Sequence, residues 1–302
     1  MTNEEIKNHL IEMGRAAGAV AIGVARAARV DEEVCLAYER FLCEKRHFSM
    51  GYLENYREIR FNPLNLFTPP AETGSVVSFA FPYYHEGTNP LFARYAQGED
   101  YHKSLRRRLK PLARYITEAT GCRARICVDT APILERYWAV QAGIGFIGRN
   151  QCLIVPGTGS YIFLAEIVTE LPLPHDHPCK ESCRDCGRCT DACPGGALRS
   201  QEFDCSLCLS CLTIEHRGPL SHPLPGRCIY GCDVCQAVCP HNAVPAPGLP
   251  EFRPTDKISG LTPLGIRHLS EEDYSAIFKS SAITRCPLPR LLRNLDMLQN
   301  GR

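Results

Sequence analysis

The sequence predicts an α+β fold, its strands and helices alternating in the manner of α/β layers, followed by a small domain built on cysteine. Three observations carry this expectation. Strand-length apolar runs alternate with amphipathic helical stretches up to Thr169. Most of the 18 cysteines crowd between Cys179 and Cys239, and a proline-rich passage then leads to a helical C-terminal end. The expected divisions are 1–172, 173–250 and 251–302.

From Asn3 to Ala17, Ile6, Leu10, Ile11 and Met13 recur at near-helical spacing, with Gly14 and Gly18 as stops before a strand over Ala19–Val24. A helix carrying Val34, Tyr38, Phe41 and Leu42 follows, and Pro63 and Pro69-Pro70 mark a long loop. Ser75–Phe81 reads as a buried strand. The next helix shows the stripe Leu105, Leu109, Leu112 and Ile116, with Arg106, Arg107, Lys110 and Arg114 on its opposite face. Such a face is ordinarily solvated surface and only secondarily a nucleic-acid site.

Ala124–Val128 reads as a strand ending at Asp129, and Pro132 as the first turn of the following helix. Asp129 thus occupies a strand-to-helix corner, where it serves either as a helix cap or as a group facing a ligand. Gly143-Ile-Gly145-Phe-Ile-Gly148 matches the dinucleotide fingerprint by letters, but it follows a helical pattern and leads toward Asn150–Val155, so it is a turn-rich loop with backbone close to something. Pro156–Gly159 is a tight turn before a last strand, Tyr161–Thr169. Leu171–His175 is the linker, and Thr213–Pro219 reads as polar and turn-like. Ser270–Phe278 is helical.

The cysteine stretch has two halves. Cys183-x2-Cys186-x2-Cys189-x3-Cys193-Pro194 is the ligand run of a bacterial ferredoxin, in which three thiolates hold one iron–sulfur cluster and the fourth reaches a second. Cys232-x2-Cys235-x3-Cys239-Pro240 repeats the ending, but Ile229 stands where a leading cysteine belongs. One thiolate must come from elsewhere, and Cys205, Cys208, Cys211 and Cys228 are candidates. Two 4Fe-4S clusters on eight thiolates is the economical reading. Structural zinc takes two well-separated pairs, and disulfides belong to secreted chains, whereas no signal peptide precedes this run. Cys35, Cys43, Cys122, Cys127, Cys152 and Cys286 are expected to pack as small hydrophobes.

At 302 residues, 44% hydrophobic and 22% charged, the chain has an ordinary soluble composition. Its apolar stretches break well short of the roughly 18 residues that cross a membrane, and oxygen-sensitive clusters suit a reducing, cytoplasmic setting. With net charge +1, nucleic-acid contact must rest on a local patch. Chemistry read from the residues alone ends at an iron–sulfur oxidoreductase.

Longer motifs extend that reading. Met50-Gly-Tyr-Leu-Glu54, Arg94-Tyr-Ala-x-Gly-x-Asp-Tyr-His102, Val128-Asp-Thr-Ala-Pro132, Ala142–Gly148, Gly159-Ser-Tyr-x-Phe-Leu164, the ferredoxin run, Cys208–Gly218 and Ile229–Cys235 resemble, in order, the epoxyqueuosine reductases. These are cobalamin-dependent iron–sulfur enzymes that complete queuosine in tRNA. The resemblance implies base-off cobalamin between the N-terminal domain and the clusters, with no histidine on cobalt. It implies that Cys208 supplies the missing thiolate, giving one cluster on Cys183, Cys186, Cys189 and Cys239 and the other on Cys193, Cys208, Cys232 and Cys235. It makes Asp129 the proton donor, its pKa raised by burial against the corrin. Asp100, Tyr101 and His102 are expected in the same pocket, with Arg60, Asn150 and Tyr161 as candidates for holding corrin side chains. The implied substrate is the anticodon region of a tRNA, with His216 and Arg217 as contacts. Longer family members continue into a helical-repeat domain, so a short, monomeric form with an unnamed electron donor is expected. Two alternatives stand beside it: a reductive dehalogenase-like enzyme and a ferredoxin-like electron carrier.

Overall fold

In a computed structural model, residues 1–198 and 202–298 are described, so that 299–302 of the expected C-terminal division lie outside. The N-terminal part comprises α1 (Asn3–Ala16), β1 (Ala21–Arg26), α2 (Glu32–Cys43), α3 (Arg57–Phe61), β2 (Ser75–Pro82), α4 (Tyr101–Thr120), β3 (Ala124–Cys127), α5 (Glu135–Gln141), the short hairpin β4 (Phe146–Ile147) and β5 (Leu153–Ile154), and β6 (Ile162–Thr169).

The main sheet runs β1-β2-β6-β3 and every pair is antiparallel. This is the α+β arrangement. Every residue of β2 is buried, because helices cover both faces. Val77, Phe79 and Phe81 join Leu10 of α1 and Leu105, Leu109, Leu112 and Ile116 of α4 in one core. Val76 and Ala80, on the alternate face, join Cys127, Val168 and Trp138 under α5. Each such large apolar side chain contributes roughly 1.5–3 kcal/mol when fully buried.

The glycine-rich loop is indeed where backbones meet. A Cβ on Gly145 would stand 2.4 Å from the Ile154 carbonyl, and one on Gly143 (φ +74°) would stand 2.3 Å from the His177 carbonyl. Pro132 lies in the turn before α5 and not in its first turn, because the chain needs residues 129–134 to leave β3 and reach the helix. The linker is pinned where Asp176 accepts from Val24 N at 2.9 Å and pairs with Lys7 Nζ at 2.7 Å.

Beyond it lie α6 (Arg188–Ala192), α7 (Leu209–Ile214), α8 (Val234–Ala237), α9 (Asp256–Ser259), α10 (Pro263–Arg267), α11 (Glu271–Phe278) and α12 (Leu288–Asp296). The stretch read as polar and turn-like begins inside α7: Thr213 is fully buried, its hydroxyl bonded to Leu209 O at 2.8 Å. The C-terminal helices form a third core in which Phe278, Ile283 and Leu291 pack with Phe92, Ile229 and Tyr230. That core brings residues 282–286 to the open end of β3.

Candidate active site and cluster ligands

Asp129 follows β3 in a left-handed conformation, φ +55°, that only short polar side chains and glycine adopt readily. It does not cap α5, whose first turn starts six residues later. Its backbone N donates to Glu135 Oε1 at 2.5 Å. Its carboxylate meets His102 Nε2 at 2.9 Å and Arg285 Nη1 at 3.2 Å.

His102 is aimed by Asp100, the N-cap of α4. Asp100 Oδ1 accepts from His102 N at 3.1 Å and faces His102 Nδ1 at 2.7 Å. Tyr101 stacks between His102, centroids 4.0 Å apart, and Phe163 at 4.3 Å. Its phenol lies beside the Asp129 carboxylate, and burial keeps that phenol protonated.

Burial alone would lower the pKa of His102, but its hydrogen bonds with Asp100 and Asp129 outweigh this and hold it up at about 9. Burial would raise that of Asp129, yet the bond and charge of His102, with Arg285, keep the carboxyl below the ordinary value. At neutral pH the proton therefore sits on His102, between two carboxylates. The expected proton donor thus starts as the carboxylate partner of a protonated His102. The Asp129 side chain remains 44% exposed, so its free edge is available to a ligand.

The cysteines gather in two sets. Cys183, Cys186, Cys189 and Cys239 line one cavity, together with Arg149, Asn150 and His241. Two buried polar atoms on its lining, Asn150 Nδ2 and His241 Nε2, have no hydrogen-bond partner among the described residues. A sulfide-rich group fits that lining, because N–H donors around cluster sulfurs would then be satisfied. Cys208, Cys232 and Cys235 are within electrostatic reach of one another, and Cys208 and Cys235 pack against the small core that contains Cys193. Burial and these neighbours push Cys232 up to about 12 and raise Cys208. Such thiols ionise readily only when a cation is bound among them. Cys205 and Cys211 are free thiols that face each other, and Cys228 Sγ donates to Pro90 O at 3.3 Å. Cys208 is thus the candidate turned toward the second set.

Other expected contacts lie elsewhere. Arg60 is buried and donates to Asn55 O at 3.0 Å and Tyr52 O at 3.2 Å, clamping its own loop. Asn150 faces the first cysteine cavity. Tyr161 packs against Tyr83 and Tyr84 with Cys235 nearby. His216 Nε2 lies 3.1 Å from Pro219 O and its ring leans on Phe48 at 5.0 Å, whereas Arg217 is exposed. On the basic face of α4, Arg107 pairs with Glu99 and Arg106 bonds to Ile126 O and Thr130 Oγ1. Sequence reasoning missed Arg285, Glu135 and Glu166, which carry no motif, and Cys152, a free thiol that faces Cys235.

Residues 60–130 match the family model described as epoxyqueuosine reductase QueG, and residues 182–242 that of a 4Fe-4S double cluster binding domain. An epoxyqueuosine reductase of Cyclobacterium marinum is 36% identical, covering 92% of each chain. A crystal structure of epoxyqueuosine reductase with a tRNA-Tyr epoxyqueuosine-modified stem loop superposes with TM-score 0.84 at 29% identity, over 97% of this chain and 80% of that one. A Bacillus subtilis epoxyqueuosine reductase, described with its aspartate catalytic loop swung out of the active site, superposes with TM-score 0.82 at 28% identity over the same shares.

Proposed function

The chain belongs to the epoxyqueuosine reductase family, and we propose that it reduces the epoxide of epoxyqueuosine in tRNA to the alkene of queuosine. Two electrons and two protons enter, and one oxygen leaves as water. The observation that carries the residue-level reading is the Asp100–His102–Asp129 chain, which stores a proton behind a half-exposed carboxylate.

When bound, cobalamin and two 4Fe-4S clusters supply the low-potential electrons that open the epoxide. Cys183, Cys186, Cys189 and Cys239 would hold one cluster, and Cys193, Cys208, Cys232 and Cys235 the other. Asp129, Tyr101 and Arg285 would face the corrin. Both ring nitrogens of His102 are committed to carboxylates, so it is not free to ligate cobalt. That fits a cobalamin that would be held without this histidine as a ligand.

Opening an epoxide builds negative charge on oxygen. Asp129 delivers the first proton there, drawing it from His102, while Arg285 steadies the charge. A substrate covering the carboxylate excludes water and favours transfer of the shared proton toward Asp129. Asp100 keeps His102 in register throughout. The second proton, for the departing hydroxyl, reaches Asp129 by the same route once His102 has been reprotonated.

The substrate is tRNA. Arg217, exposed beside the His216–Phe48 stack, takes a phosphate, and His216 shapes the mouth. Cys186 is exposed, on the side from which an electron donor reaches a monomer. Among the described residues no helix is long and apolar enough to cross a membrane; a tRNA substrate places the reaction in the cytoplasm. Anaerobic omission experiments test the reading: conversion should require cobalamin, intact clusters and reductant together, and conversion without cobalamin would overturn it.

A further inference from the structure

Beneath the Asp129 turn lies a second pair of carboxyls that the reaction does not use. Glu166, in the middle of β6, is fully buried, and neither of its carboxyl oxygens is met by an N–H or O–H donor among the described residues. It stands in register between Ser78 of β2 and Cys127 of β3, on the sheet face that α5 covers. Its near neighbour is the carboxyl of Glu135, at the start of α5. Glu135 in turn accepts the backbone N–H of Asp129 at 2.5 Å. That bond joins the backbone of the left-handed turn at Asp129 to α5 and, through Glu166, to the body of the sheet.

Two carboxylates cannot both be charged at such a place. The cations on this side are already engaged: His102 with Asp100 and Asp129, Arg106 with Ile126 O and Thr130 Oγ1, and Arg125 with Leu66 O at 3.1 Å. Nothing among them answers Glu166, while Asp129 and the Cys127 thiol add to the repulsion or to the burial. Burial, then the charge of Asp129, pushes Glu135 up to about 8, and burial with Glu135 raises Glu166 well above the ordinary carboxyl value. One proton between the two resolves the conflict, as in any close carboxyl dyad.

We propose that Glu135 and Glu166 share one proton and act as a latch for the Asp129 turn: the protonated Glu166 donates to Glu135, which holds the Asp129 N–H. Loss of that proton leaves two negative charges in a dry interior. Glu135, on the first turn of a seven-residue helix, is the one that can swing out to water, and its departure releases the Asp129 N–H and loosens a backbone turn otherwise held through the side chains of Asp129 and Thr130. Glu135 and Glu166 are positioning residues that touch neither substrate nor cofactor. The inference rests on the reading of Asp129 as the acid only for its consequence, since the latch itself is defined without substrate.

The test is amide hydrogen exchange of the peptide spanning 128–134 in the cluster-loaded full chain, corrected for intrinsic rate, from about pH 6 to about pH 9. The wild type should be protected at the low end and lose about tenfold in protection per pH unit once the shared proton titrates. Glu166→Gln keeps a donor toward Glu135 and has no proton to lose, so its protection should stay flat. Glu135→Gln still offers a carbonyl to Asp129 N–H and should behave alike, which preserves the test if one variant fails to fold. Flat protection in the wild type, or variants that fall in parallel with it, would overturn the proposal. Because no tRNA is present, an inactive protein with a titrating loop would count against the reaction and leave the latch standing.

Discussion

Asp129→Asn isolates the acid from the scaffold. Asparagine tolerates the left-handed φ of +55° nearly as well as aspartate, so the turn and its bond to Glu135 survive. What is lost is the charge that holds the His102 proton at 2.9 Å and receives Arg285 at 3.2 Å, and with it the path from His102 to the oxygen. Positioned proton transfer contributes about a hundredfold to ten-thousandfold, or ~3–5 kcal/mol of barrier. The single-turnover rate on epoxyqueuosine tRNA should fall by that factor, with tRNA affinity changing less than about threefold. His102, keeping only Asp100 as a partner, should titrate lower. Full turnover in the variant, or a loss confined to tRNA affinity, would remove Asp129 from the role of proton donor.

Other outcomes follow from the same geometry. The raised pKa of His102 means that its proton is present below about 9 and lost above it; in Glu166→Gln protein the turnover rate should therefore decline only as pH rises through about 9, and His102→Gln should abolish that decline together with most of the rate. Cys208→Ala should leave about one cluster's worth of iron and one of two spectroscopic signals, whereas Cys205→Ala, Cys211→Ala and Cys228→Ala should keep both, as measured by iron content and electron paramagnetic resonance. Arg217→Ala should lower the salt dependence of tRNA binding by roughly one counterion, a slope change of about 0.7–0.9 in a log–log titration, without altering the single-turnover rate at saturating tRNA.

Much of this architecture was legible in the residues. The all-buried run Ser75–Phe81, the stripe from Leu105 to Ile116 and the strand before Asp129 each express a period or composition that burial demands, and they stand where expected. Cysteine spacing identified a ferredoxin-like pair of halves because cluster geometry fixes local intervals. Long-range partners have no such signature. Arg285 reaches Asp129 across 156 positions because a third core folds the C-terminal helices back, and Glu166 reads as one polar letter in an apolar strand. Thr213 looked turn-like because its neighbours are polar, while its burial against α12 is a tertiary fact: Asn294 Nδ2 bonds its carbonyl at 2.9 Å. Protonation was the least legible feature. Whether Asp129 or His102 carries the proton depends on Asp100 and Arg285, which only the fold assembles.

The most direct measurement is the nucleoside composition of epoxyqueuosine tRNA after anaerobic incubation with the cobalamin- and cluster-loaded protein and a strong reductant. Digestion and mass spectrometry should show epoxyqueuosine replaced by queuosine through loss of one oxygen, at more than one conversion per protein. Unchanged epoxyqueuosine, with cobalamin bound and both clusters intact, would contradict the account.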